Sequence, residues 1–234
     1  MRQRRRQPSE RGLTLMEALV AILMVSAVMV AITPPIFLAV ATRVQNRRAE
    51  QAVQLAHGEI DQVRVLVEGG INDENQDQLP ADAGNTDPKT VSPPTSLYRD
   101  LQSTNFEKSA YDKDPKQLGV NEARQVDVNG DGTVDFLVQT FIANKQEIDR
   151  GGVKIPLVFN MGVRVYSAAA ESNLGNLQVD GDGSVKAASL QLTTGEGQQT
   201  EKPLAVLYTT LGQGDSSGAL DKYRCLAGAS ENCE

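Results

Sequence analysis

The chain has no tryptophan, one histidine and two cysteines in 234 residues, and aromatic residues make up 4% of it. Two cysteines and one histidine fall short of the four ligands of a structural Cys/His zinc site. So few aromatics disfavour a stacking platform for unpaired bases. His57, between Ala56 and Gly58, has no orienting partner or nucleophile in a recognisable pattern and reads as a solvated or edge residue. A basic surplus is missing too: 23 Lys and Arg face 30 Asp and Glu, a net charge of −7. An acidic bulk argues against nucleic acid, whose backbone calls for a basic face. No nucleophile-and-base pattern stands out, so the reading is not an enzyme.

What is present is unevenly placed. Residues 1–12 carry five Arg and one Glu, residues 13–42 carry the single charge Glu17, and residues 43–70 balance four Arg against four acids. Residues 71–234 hold 14 basic and 24 acidic side chains. The run LTLMEALVAILMVSAVMVAITPPIFLAVA, residues 13–41, exceeds the ~20 apolar residues that span a bilayer as a helix. Its Arg-rich flank belongs on the cytoplasmic side by the positive-inside rule, which puts the acidic bulk outside. A cleaved secretory signal is the rival reading, and Ala39-Val40-Ala41 offers an A-x-A pattern for it. Glu17 counts against that rival, because a secretory h-region carries no acid.

A carboxylate near the start of a span is costly, about 2.5–3.5 kcal/mol at the centre and less toward an end. Glu17 either sits at the interface among headgroups or meets a cation. Cleavage after Gly12 would supply one: the free α-amine of Leu13, about a helical turn away or on a neighbouring copy. The segment Gly12-Leu13-Thr14-Leu15-Met16-Glu17, with its basic leader and long apolar run, resembles the processing motif of type IV pilins and type II secretion pseudopilins. Pro34, 22 residues after Gly12, stands where that family commonly has a proline. Leu13 and Met16 replace the commoner Phe and Ile and stay apolar. Residues 32–64 are similar to the pseudopilins of the cyanobacterial hormogonium polysaccharide secretion system.

The resemblance implies a prepilin peptidase that cleaves after Gly12 and methylates Leu13, and assembly through the N-terminal helix with Glu17 setting subunit register. It implies other pilins or pseudopilins as partners, with an inner-membrane platform protein and an assembly ATPase. It places the chain in the plasma membrane, single-pass among its lipids, in polysaccharide secretion during gliding. Two alternatives stay open: a minor pilin of a motility or adhesion pilus, and a membrane-anchored calcium- or carbohydrate-binding module.

Beyond the apolar run, Ala49, Ala52, Val53, Ala56, Ile60, Val63 and Val67 recur at steps of three and four, one stripe of a helix continuing through residues 43–70. Arg47, Arg48, Glu50, Glu59, Asp61 and Arg64 fall on other faces, and Gly69-Gly70 is a stop signal. From Leu13 to Glu68 an unbroken helix would run about 84 Å; Pro34-Pro35 should bend it or loosen a turn. Residues 71–123, rich in Pro, Asp, Asn and Gly, read as a connector. From Arg124 the period changes to that of strands: 126–128 and 134–142 around a turn, then 158–166, 190–192 and 204–210. The expected fold is α+β, with the helix packed on a C-terminal antiparallel sheet over 124–234.

Residues 127–135 match the first nine positions of a calcium loop: Asp127, Asn129 and Asp131 as side-chain ligands, Thr133 through its carbonyl, Asp135 through water. The twelfth position holds Val138 where a bidentate Glu is expected. A polar hairpin turn without metal is the other reading, and calcium is the one cofactor to weigh. Asp180-Gly181-Asp182-Gly183 reads as a plain turn. Cys225 and Cys233, with seven residues between them, would close a small terminal loop in an oxidising compartment; a disulfide near the C-terminus is also common among the pilins that the chain resembles.

Overall fold

The computed structural model of the chain describes residues 14–98, 118–189, 198–214 and 218–228, with Pro34 described by its backbone alone. In chain order the elements are α1 (Leu15–Glu68), a 3-10 turn (Gln76–Gln78), β1 (Ser96–Leu97), β2 (Glu122–Val126), β3 (Phe136–Arg150), β4 (Val153–Ser167), a second 3-10 helix (Ala168–Asn173), β5 (Ala205–Gly212) and α2 (Ala219–Leu226). The fold is α+β, a long N-terminal helix followed by a five-stranded, mostly antiparallel sheet. Two compact units divide it, Met1–Val44 and Gln45–Glu234.

In the first unit α1 continues through Pro34-Pro35 without an interruption of helix. Its large apolar side chains are exposed, from Leu15 to Val40. The hydroxyls of Ser26, Thr33 and Thr42 do not stand as bare donors on this surface. Each donates to the carbonyl four residues back, Ile22, Met29 and Leu38, at 2.8, 2.6 and 2.8 Å.

In the second unit the same helix buries one stripe. Ala49, Ala52, Ala56, Ile60, Val63 and Val67 are buried, as the 3.6-residue period requires, and Ile71 extends the line. Val53 departs from the expectation: it flanks Ala52 by one residue, is rotated about 100° from it, and is 38% exposed. The stripe packs on Val126, Phe136, Val138, Ile142, Phe159, Met161, Val163 and Val165. Two fully buried alanines, Ala52 and Ala56, give the strands close approach to the helix.

The sheet order is β1-β2-β3-β4-β5, with β1 parallel to β2 and the remaining pairs antiparallel. β3 and β4 are longer than the apolar pattern suggests, each of 15 residues. The added length is the polar stretch leading to Gly151-Gly152, whose φ angles of 69° and 91° close a two-residue hairpin turn that side-chain-bearing residues rarely adopt. β5 matches the strand read at 204–210 from Ala205 and runs two residues further, to Gly212. The strand read at 190–192 lies outside the described residues.

Both faces of the sheet are buried. Along β3 and β4 the alternate residues Leu137, Gln139, Phe141, Arg164 and Tyr166 have no more than 0% exposure and point away from the helix-facing set. Segments read from sequence as connector cover this second face, and β1 itself lies inside them. Across β3 and β4, Phe141 stands opposite Gly162. A Cβ on Gly162 would lie 2.4 Å from the Phe141 ring, so that position takes glycine to seat the ring.

Candidate functional site

Three places carry the residues singled out by sequence. The first is the start of α1. Thr14 precedes the helix, its hydroxyl accepts from the Glu17 N–H at 3.2 Å, and its carbonyl accepts from Ala18 N–H at 3.0 Å. Thr14-Leu15-Met16-Glu17 is thus an N-capping arrangement, a local role for this stretch that the processing motif conceals. Glu17 lies in the first turn, where the helix dipole favours a negative charge, and it is exposed. Gly12 and Leu13 lie outside the described residues. Among the described residues one helix is long and apolar enough to cross a membrane, and none of the eighteen residues in its most apolar window is buried.

The second place is the β2–β3 connection. β2 and β3 pair through Val126 and Phe136, and residues 127–135 form the loop between them. Its acids are turned to the loop's own backbone. Asp127 accepts from Asn129, Gly130 and Gly132 N–H at 3.1, 2.7 and 2.7 Å. The Asn129 side chain accepts from Asp131 N–H, Asp131 from Thr133 N–H, and Asp135 from Val128 N–H, at 2.8, 2.8 and 3.0 Å. The Thr133 hydroxyl also donates to Asp131 and, with its N–H, holds that carboxyl below the usual range. Val138, at the twelfth position of the calcium pattern, is 1% exposed in the core under α1. Among the described residues no group of three or more His, Cys, Asp or Glu is placed to hold a metal ion.

The Asp180–Gly183 stretch forms a tight turn in which Gly183 N–H donates to the Asp180 carbonyl at 2.8 Å. Its carboxylates meet protein cations: Asp180 lies 2.9 Å from Lys202 and 3.0 Å from Lys186. Asp182 accepts from the Ser184 hydroxyl and N–H, which pull its pKa down to about 2. Cys225, in α2, is disulfide-bonded; Cys233 lies outside the described residues. His57 is exposed on α1.

Two charged residues are buried, one of them, Glu59, set by the sequence outside the apolar stripe. Glu59 is 9% exposed and forms an ion pair with Arg124 on β2, tying the helix to the sheet. Burial raises the Glu59 pKa, and the charge and hydrogen bond of Arg124 pull it back only in part. Arg164, on β4, is fully buried and meets no carboxylate among the described residues. Its guanidinium donates to the carbonyls of Val91 and Pro88 at 2.7 and 3.0 Å and to the Tyr208 hydroxyl at 3.1 Å. It also stands 5.0 Å from the Phe141 ring centroid and 5.8 Å from that of Tyr208. No short motif marks either residue. The one available signal was a lone Arg in the apolar run 158–166.

Comparison of the chain with protein-family models, with curated proteins and with solved structures finds no match.

Proposed function

We propose that this chain is a pseudopilin: a membrane-inserted subunit that is processed after Gly12 and polymerises through the N-terminal half of α1. One observation carries the reading. α1 bears two apolar surfaces, and among the described residues only the C-terminal one is buried, so the exposed segment from Leu15 onward calls for another apolar environment. Lipid serves before assembly, and the helices of neighbouring subunits serve after it. The subunit is single-pass in the plasma membrane with its leader cytoplasmic and the sheet-bearing unit outside, where Cys225 and Cys233 pair.

Its role is mechanical rather than catalytic. A prepilin peptidase removes the leader, and an assembly ATPase acting through a platform protein extracts subunits from the membrane. The carboxylate of Glu17 meets the Leu13 amine of a neighbour and fixes the axial step. Resemblance to the B component of the hormogonium polysaccharide secretion system makes polysaccharide the cargo class. N-terminal sequencing of the mature protein tests this: it should begin at Leu13, and a large residue in place of Gly12 should leave a full-length precursor in the membrane. A mature start near Thr42 would replace the pseudopilin by a secreted acidic domain.

A further inference from the structure

We propose that a cleft on the sheet face opposite α1 binds a segment of neutral saccharide without cleaving it. The cleft lies between residues 87–89 and strands β3, β4 and β5, and its volume is about 450 Å³, within the ~300–1,000 Å³ of small-ligand sites. It is lined by Asp87, Lys89, Asn144, Asn160, Tyr208 and Thr210, among others. One acid and one base leave it without net charge. Amides, hydroxyls, a carboxylate and an ammonium offer both donors and acceptors, as a ligand made of hydroxyl groups requires.

Three features indicate a site prepared for a ligand. Asn144 has φ 51°, the one positive φ outside glycine among the described residues. It sits at the irregularity of β3 between Ala143 and Gln146, held by its N–H donating to the Gly84 carbonyl at 2.9 Å. Bulges re-aim side chains beside sites, and strain of this kind concentrates where function needs it. The Asn144 side-chain amide has no protein partner among the described residues.

Asn160 is the second feature. Its carbonyl oxygen accepts from the Thr210 hydroxyl at 2.8 Å, and its amino group has no protein partner among the described residues. The third is the wall. Arg164 bonds the carbonyls of Pro88 and Lys89 at 3.0 and 3.3 Å and the Tyr208 hydroxyl, so one buried cation fixes both the 88–89 backbone and the ring beside it. A buried charge without a carboxylate is a costly way to hold a surface loop, but it holds a binding wall in one geometry.

An anion would call for a net positive lining, and a peptide for apolar pockets or a strand edge. Glycoside hydrolysis uses two flanking carboxylates, and Asp87 is the one carboxylate in the lining. The inference does not depend on the pseudopilin reading, since purified subunit suffices to test it.

The full-length chain in detergent micelles should be run on native gels cast with dextran, galactomannan or laminarin, with polygalacturonate and gelatin as the anionic and peptide alternatives. Retardation by at least one neutral polysaccharide is expected. Asn144→Gly keeps the left-handed backbone and removes the amide, and Thr210→Val changes an exposed strand position. Each should weaken retardation about tenfold, with melting unchanged. No retardation by the three neutral polymers, retardation by polygalacturonate or gelatin alone, or retardation that neither variant reduces would overturn the proposal. Assembly is not read in this assay, so its outcome stands apart from the processing test.

Discussion

Residues 15–44 and residues 45–68 belong to one helix, and both are rich in Ala, Val, Leu and Ile, yet the chain treats them oppositely. In the first segment Met16 and Phe37 are each 72% exposed; in the second Ala52 and Ala56 are 0% exposed. The difference lies in pattern. Residues 13–42 are apolar on every side, which suits a helix surrounded by apolar matter. Residues 45–68 alternate charge with a single stripe, which suits a helix with sheet on one side and water on the other. Helix propensity is shared along α1. The environment each half needs is set by where its charges fall.

The sharpest test of the second half is its buried ion pair. Glu59→Ala breaks the buried pair with Arg124 and should destabilise the folded unit by about 3–5 kcal/mol, read as a fall in melting temperature in detergent. Glu59→Gln should cost less, because an amide oxygen still accepts from Arg124. The pH dependence has a definite sign. The Glu59 pKa is raised in the folded state, so its contribution is fully present below the unfolded carboxyl pKa and is lost as pH rises through the folded value. The stability difference between wild type and Glu59→Gln should therefore shift in favour of Gln as pH rises from the acid side of 4.5 toward neutrality. A shift in the opposite direction would mean that Arg124 outweighs burial.

Next is a matched pair of truncations across the two halves. Ile60→Ala removes buried volume and should cost about 2–5 kcal/mol. Leu23→Ala, at a position 61% exposed, should leave the melting of the sheet-bearing unit within about 0.5 kcal/mol and weaken membrane retention. Equal loss of stability at both positions would erase the distinction between the halves.

Much of this was legible in sequence, for a specific reason. The stripe from Ala49 to Val67 is local, and six of its seven residues face the core. The turn at 127–135 was legible because Asn-Gly and Asp-Gly mark it, but its first strand was read at 126–128 whereas β2 is Glu122–Val126, whose polar side chains carry no apolar period. Glu59 was misplaced because its charge was read as solvent-seeking, although seven residues bring it back to within about 20° of Ala52 at the edge of the stripe; Arg124, which meets that charge, lies 65 residues away, beyond any local pattern. The second layer was illegible for a different reason. Arg164 grips main-chain carbonyls, and any residue supplies those, so nothing in the segment 88–92 announces the contact. β1 is two residues long and carries no period. The length of β3 and β4 was masked by the polar residues near their shared turn, which sit where the sheet runs out toward water.

In stability, the start of α1 should matter less. Glu17→Ala removes a first-turn acid worth about 0.3–1 kcal/mol to the helix, while Thr14 remains to cap it. Melting of the sheet-bearing unit should not move and membrane insertion should persist, whereas assembly should fail. Secretion at the native level in this variant would argue that Glu17 serves only the helix end.

The smallest effect is expected at the β2–β3 loop. Its carboxylate and amide oxygens accept from the loop's own N–H groups, which completes the turn without an ion, and Val138 fills the core where a bidentate ligand would be needed. A ligand that binds only the folded state at a hundredfold excess over its Kd adds about 2.7 kcal/mol, a shift no melting curve would miss. Calcium at 10 mM should therefore leave the melting temperature of the full chain unchanged, and Asp131→Ala should lower it equally with and without the ion. A calcium-dependent rise that Asp131→Ala abolishes would mean that a carboxylate from elsewhere takes the place of Val138, and the loop would then be a metal site.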